Sequence, residues 1–294
     1  MKKFVLSLLL IVLISGCTIP EGFLPGTGPT TKEATPDLVV VQNLNIIPTP
    51  PINAGDQFSI SFEIKNQDEV VSVDNVGYNL FDKGICTEKL SGDDETATIG
   101  TLAPLQTEFK EWTFKAPNNV DIGSLSVTCP MRFMISYTHT ATSQIDIDVI
   151  NTDRLSQLQK SGQTPSFTST LTVGSGPVKI YFDFGASMPV RGGTTLPVYI
   201  TVEDKGTGLL GQIDSDKLKI TFPTGFTIVD CPKFDSSGLN NANITMIKKK
   251  SPQLRCTFTA PPESIEKTYY IRADLNYSYN IVQEANVEIK PTAV

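Results

Sequence analysis

Leu125–Tyr137 reads LSVTCPMRFMISY, and its apolar residues Leu125, Val127, Cys129, Met131, Phe133, Ile135 and Tyr137 occupy every second position. Side chains along an extended chain alternate between two faces, so this period of two marks a strand with one buried face. Downstream, Ile145, Ile147 and Val149 resume the alternation, and the two runs together predict a terminal hairpin. Upstream, Phe58, Ile60, Phe62 and Ile64, and then Val76, Tyr78 and Leu80, repeat the pattern.

The second half of the chain follows the same plan. Val178, Ile180, Phe182 and Phe184 alternate, as do Leu196, Val198, Ile200 and Val202. Its last strands carry Ile271, Ala273, Leu275 and Tyr277, then Ala285, Val287 and Ile289. Turn residues separate the runs at intervals typical of β-sandwiches. One short helix is predicted at Asp153–Lys160, DRLSQLQK, in a linker that continues as SGQTP.

The halves are also related to each other. AGDQFSISFEIKN at 54–66 matches GGTTLPVYITVED at 192–204, and WTFKAP at 112–117 matches CTFTAP at 256–261. Arg132, Ile135, Tyr137, Ile147 and Val149 align without gaps on Arg272, Leu275, Tyr277, Val287 and Ile289. Three matches in the same order point to duplication. With helices nearly absent, apolar strand faces must bury against another sheet. The prediction is therefore an all-β protein: two tandem antiparallel sandwiches of immunoglobulin-like size, at 37–151 and 167–292, joined by a linker at 152–166. The glycine-led alternating strand, the late aromatic-x-x-Ala-Pro and the terminal hairpin resemble CARDB-type immunoglobulin-like modules of archaeal and bacterial surface proteins. That resemblance implies adhesion or scaffold roles and supplies no catalytic residue.

The chain begins with Lys2 and Lys3, followed by FVLSLLLIVLI at 4–14 and Ile14-Ser15-Gly16-Cys17. A short basic region and an apolar stretch too short to span a bilayer form an export signal over 1–16. Ile14–Cys17 resembles the lipobox of lipoprotein signal peptides, which implies that Cys17 is lipidated and becomes the N-terminus. The protein is then anchored to membrane lipid on the outer face of the cytoplasmic membrane. The rest of 17–36, TIPEGFLPGTGPTTKEATP, is rich in Pro, Gly and Thr and reads as a tether with a reach of about 25 Å as a flexible coil.

Setting Cys17 aside leaves Cys86 and Cys129 in the first half and Cys231 and Cys256 in the second. In an exported protein these predict one disulfide per half. Removal of Lys2 and Lys3 leaves 22 Lys+Arg against 31 Asp+Glu, a formal net of −9. An acidic chain with a single basic run, Lys248-Lys249-Lys250, argues against nucleic acid as a partner, and that run reads as a solvated loop.

Candidate chemistry is sparse. His139, the only histidine, aligns with Tyr279 of the second half and reads as a strand-end residue rather than a catalytic base. Asp93, Asp94 and Glu95 in SGDDET, and Asp214 and Asp216 in GQIDSDK, read as solvated turns, without the surrounding ligand spacing of a calcium loop. Asn243-Ile244-Thr245 and Asn276-Tyr277-Ser278 fit the N-glycosylation sequon, the second of them at a less accessible strand end. Tyr269, Tyr277 and Tyr279 fall on the core side and Tyr270 on the other. No metal or cofactor is implied. These readings describe a non-enzymatic surface protein whose partner is another surface protein or a glycan. A ligand-binding lipoprotein serving a transporter or envelope assembly is the first alternative, with a concave pocket between the halves. A carbohydrate-active enzyme with two interior carboxylates is the second.

Overall fold

The structure is a computed structural model, described over residues 37–162, 169–185, 188–263 and 266–292. The signal, Cys17 and the tether lie outside these residues. The described chain is nearly all β. One four-stranded sheet comes from the first half, in the order β1 (Val39–Ile47), β3 (Gln57–Asn66), β7 (Thr107–Lys115) and β5 (Lys89–Gly92). Its counterpart from the second half runs β10 (Val178–Phe184), β12 (Thr195–Asp204), β16 (Leu254–Thr259) and β15 (Thr227–Asp230). β3 and β12 are the matched glycine-led segments, and each alternates strictly between buried and half-buried positions after an exposed first residue.

Both small sheets pack against one large shared sheet. Its centre is an antiparallel pair of long strands, β8 (Val127–Ile150) and β17 (Glu266–Lys290), in register from Val127↔Ile289 to Ile150↔Glu266. β4 (Val73–Asp82) and β6 (Thr96–Leu102) extend it beyond β8, and β13 (Leu209–Leu210) and β14 (Leu218–Thr221) pair with β17. In the first sandwich Phe133 of β8 stacks on Phe62 with centroids 4.4 Å apart and meets Trp112 at 5.5 Å. In the second, Phe226 bridges Phe258 at 5.3 Å and Tyr269 of β17 at 5.0 Å. Such offset and edge contacts add to the hydrophobic burial of the rings.

The predicted terminal hairpins are absent: each is a single continuous strand. The connecting stretch THTATSQ at 138–144 contains no Gly, Pro, Asn or Asp, so nothing in it favours a turn, and its Thr residues suit an extended chain. The consequence is an exchange of strand ends. The C-terminal end of β8 leaves the first sandwich and joins the second, where β11 (Val190–Arg191) pairs with Val149 and Ile150 and β9 (Leu171–Val173) pairs with Ser143–Ile145. Reciprocally, β2 (Ile52–Asn53) of the first half pairs with Ile289 and Lys290 at the end of β17. The described residues accordingly fall within one compact unit in place of two independent domains.

The pairing register reveals the symmetry. Thr138 faces Ser278, and these two residues are separated by the same interval that relates Arg132 to Arg272 and Tyr137 to Tyr277. The pseudo-two-fold axis of the duplication therefore passes through the Thr138–Ser278 pair. The helix expected at Asp153–Lys160 is present as α2 (Thr152–Lys160), preceded by a one-turn α1 (Asn119–Ile122). Asn151 starts α2, its Oδ1 accepting hydrogen bonds from the Asp153 and Arg154 amides at 2.8 and 3.3 Å.

Candidate binding cleft at the pseudo-dyad

Odd-numbered residues of β8 and β17 face the two cores, and even-numbered ones form the outer face of the shared sheet. Across the axis the outer rows are Ser136–Asn280, Thr138–Ser278, Thr140–Asn276 and Thr142–Asp274. Two segments rise on either side of these rows. One is the β4 bulge at Asp74–Gly77, where the register with β8 shifts and Asn75 takes a positive φ of 51°. The other is the loop 211–217 between β13 and β14. Both stand at the same place in the repeat, and together they wall a cleft of about 340 Å³.

The cleft is lined chiefly by neutral polar groups, with Ile213 and Tyr277 among them. Asn75 Nδ2 donates to Thr138 Oγ1 at 2.9 Å, and Gln212 Nε2 donates to Asp214 Oδ1 at 3.1 Å. Among the described residues the side chains of Asn276, Ser278 and Asn280 have no hydrogen-bond partner within the protein, and they present free donors and acceptors to the cleft. Lys217 and Asp214 contribute one charge of each sign.

The 211–217 wall is held from behind by Asn240, which is fully buried. Its Oδ1 accepts from the Lys217 and Leu218 amides at 2.9 and 2.8 Å, and its Nδ2 donates to the carbonyls of Asp214 and Ala242 at 2.8 and 3.0 Å. Asn243 Oδ1 accepts from the Ser215 amide at 3.0 Å, and Ile213 and Ile244 exchange backbone hydrogen bonds. The Asn-rich loop 240–243 is thus a brace for the cleft, a role its composition alone does not announce.

Beneath the cleft, on the inner face, the axis is lined by Tyr137, His139, Tyr277 and Tyr279. Tyr137 and Tyr279 lie 5.5 Å apart between centroids, and His139 meets the edge of Tyr277 at 5.9 Å. Tyr279 donates to Asp204 Oδ1 at 2.8 Å. Burial pushes all three tyrosine hydroxyls far above their ordinary range. Burial also holds the His139 imidazole below its ordinary value, more strongly than Asp68 and Asp74 raise it, and Lys179 acts in the same direction as burial. Asp37, the first described residue, takes the Thr207 amide and hydroxyl of the second half, with Thr207 Oγ1 at 2.7 Å. Gly206 is required here: a Cβ would stand 2.2 Å from Asp37 Oδ1 and 2.3 Å from the Tyr279 hydroxyl.

The remaining residues singled out from sequence are dispersed. Disulfides join Cys86 to Cys129 and Cys231 to Cys256, one in each half, with Cα–Cα distances of 5.9 and 4.2 Å. Asp93, Asp94 and Glu95 turn to three different partners. Asp93 Oδ2 accepts from the Glu111 amide, the Asp94 carbonyl accepts from Trp112 Nε1, and Glu95 pairs with Lys83 at 2.8 Å. The SGDDET turn thereby fastens Trp112 into the core. Among the described residues no group of three or more His, Cys, Asp or Glu is placed to hold a metal ion.

Asp214 lies in the cleft wall, and Asp216 occupies the left-handed region at a φ of 61°. Asn243 and Asn276 are both exposed, and Asn276 stands on the outer sheet face inside the cleft, more accessible than its strand position suggests. Lys248-Lys249-Lys250 is more than a solvated run. Lys249 Nζ donates to the carbonyls of Gly206 and Gly208 at 2.5 and 3.0 Å, pinning the loop above Asp204, and Lys250 pairs with Glu203 at 2.8 Å. Tyr269, Tyr277 and Tyr279 are buried and Tyr270 is exposed, as their alternation requires.

No protein-family model matches the chain. No curated protein matches it either. Among solved structures, a protein of unknown function from Porphyromonas gingivalis aligns over 87% of this chain and 100% of its own, at 10% identity and a TM-score of 0.23. Red sea bream transglutaminase aligns over 86% of this chain and 31% of its own, at 11% identity and a TM-score of 0.21. Likenesses this distant carry no functional argument.

Proposed function

We propose that the chain is a non-enzymatic surface lipoprotein, held by lipid on Cys17 to the outer face of the cytoplasmic membrane, that binds a partner on the outer face of its shared sheet. One observation carries the reading: the duplication places a polar cleft on the axis, where side chains of both halves converge and those of Asn276, Ser278 and Asn280 have no hydrogen-bond partner among the described residues. Convergent polar groups in a concavity at a junction are the usual form of a ligand site. The signal at 1–16, the lipobox and the tether supply the location, and the CARDB-type resemblance supplies the adhesion or scaffold class. The same concavity between the halves also supports the second reading, a ligand-binding lipoprotein that serves a transporter or an envelope assembly.

Two experiments test this. Substituting Cys17→Ser should move the protein from the membrane pellet to the soluble fraction; retention in the pellet counts against the anchor. Pull-down of the full chain from solubilised envelopes should recover a specific partner that an Asn280→Ala, Gln212→Ala variant fails to retain. A partner held equally by that variant would place binding elsewhere.

A further inference from the structure

We infer that the dyad cleft is a saccharide site, and that its ligand is a neutral sugar chain. The inference rests on the binding reading above and names the ligand class for that same cleft. The lining is made of hydroxyls and carboxamides, chiefly Asn75, Thr138, Gln212, Asn276, Ser278 and Asn280. A carboxamide offers a donor and an acceptor side by side, which matches adjacent hydroxyls on a sugar ring. The single Lys217 and single Asp214 balance within the lining, so there is no excess of positive charge to favour phosphorylated, sulfated or carboxylated ligands.

An extended peptide fits less well. Strand addition needs a free sheet edge and side-chain pockets on alternate positions, whereas β8 pairs with β4 at Thr138, β17 is flanked by β13 and β14 on either side of Tyr277–Ser278, and the outer rows there are polar. The cleft's volume of about 340 Å³ lies at the small end of ligand pockets, roughly 300–1,000 Å³, which suits a short stretch of a glycan.

A second, independent feature points to the same chemistry. The sequon Asn276-Tyr277-Ser278 lies in the cleft, with both Asn276 and Ser278 on its floor and exposed. A sugar can therefore reach these groups from two sources: a glycan of the envelope, or a glycan carried covalently on Asn276.

The test uses the full chain purified in detergent. The native protein is analysed by glycopeptide mass spectrometry at Asn276. Protein made in a host without N-glycosylation is applied to an array of neutral and acidic glycans. Neutral glycans bound by the unmodified protein, with affinity about tenfold weaker in Gln212→Ala and in Asn280→Ala, identify a free envelope saccharide. A neutral glycan on Asn276 whose release by endoglycosidase is faster in those two variants identifies the covalent source. These substitutions leave the sequon intact and replace an exposed side chain (Gln212) and a half-buried one (Asn280), and unchanged thermal unfolding excludes misfolding as the cause. The inference is overturned if Asn276 is unmodified and no neutral glycan binds, or if the two substitutions change nothing. It is also overturned if the cleft retains a peptide and no sugar. A specific protein partner recovered from envelopes alongside that result would leave the surface-binding function standing and refute only the saccharide.

Discussion

At the scale of the residue, three side chains illustrate how the fold is set. Phe133 is fully buried between Phe62 and Trp112. Phe133→Ala should cost about 3–5 kcal/mol through lost burial and the cavity left behind, read from urea unfolding followed by the fluorescence of Trp112, the chain's only tryptophan. Asn240 shows the opposite case, a buried polar residue whose value lies in four side-chain hydrogen bonds. Asn240→Ala leaves two backbone amides and two carbonyls without their partner and should cost about 2–3 kcal/mol; faster hydrogen exchange at the Leu218 amide would localise the damage to the cleft wall. His139 makes stability depend on pH. Its folded value lies below the ordinary 6.5, so unfolding takes up a proton in that window and the unfolded state gains as the pH falls. Stability should therefore decline as the pH drops through about 6.5 and stop declining from this source once His139 is protonated in the fold. Because the chain has one histidine, His139→Gln should flatten the urea midpoint between about pH 7 and about pH 5; an unchanged slope would refute the assignment.

At the scale of the element, alternation located β3, β4, β8, β10, β12 and β17, because each has one buried face and a period of two is legible without tertiary knowledge; the shorter edge strands carry no such run. The predicted hairpin of the first half gives way to a continuous strand because the polar stretch at 138–144 resembles a turn in hydropathy alone. Its Thr-rich composition and lack of turn formers allow the strand to continue, and the polarity reflects its position at the axis, over the cleft. The disulfides were legible from counting cysteines. In the loop-entropy description, the Cys86–Cys129 bond, with a separation of 43, stabilises by up to about 4 kcal/mol. The Cys231–Cys256 bond, with a separation of 25, gives up to about 3.5 kcal/mol. Replacing Cys86 and Cys129 together with alanine should lower the urea midpoint more than replacing Cys231 and Cys256, and the reverse order would show that strain or residual unfolded structure dominates.

At the scale of the whole molecule, the exchange of strand ends makes the halves interdependent. A fragment covering 37–151 carries Ile145, Ile147 and Val149, which are buried in the second sandwich of the intact chain. It also lacks the end of β17 that completes its own sheet. The fragment alone should fail to unfold cooperatively as a monomer, and adding the complementary fragment should restore cooperative unfolding by circular dichroism. Independent, monomeric folding of the fragment would contradict the exchange. The sequence by itself determined the strand content, the duplication, the disulfide partners and the division of residues between core and surface. All of these follow from local periodicity, composition or internal matching. Only the tertiary structure decided that the last strand of each half crosses to the other, and that this crossing brings Asn75, Gln212, Asn276 and Asn280 around one axis. The physical reason is that strand alternation specifies which face of a strand is buried and is silent on which sheet buries it. That choice depends on pairing between residues more than a hundred positions apart.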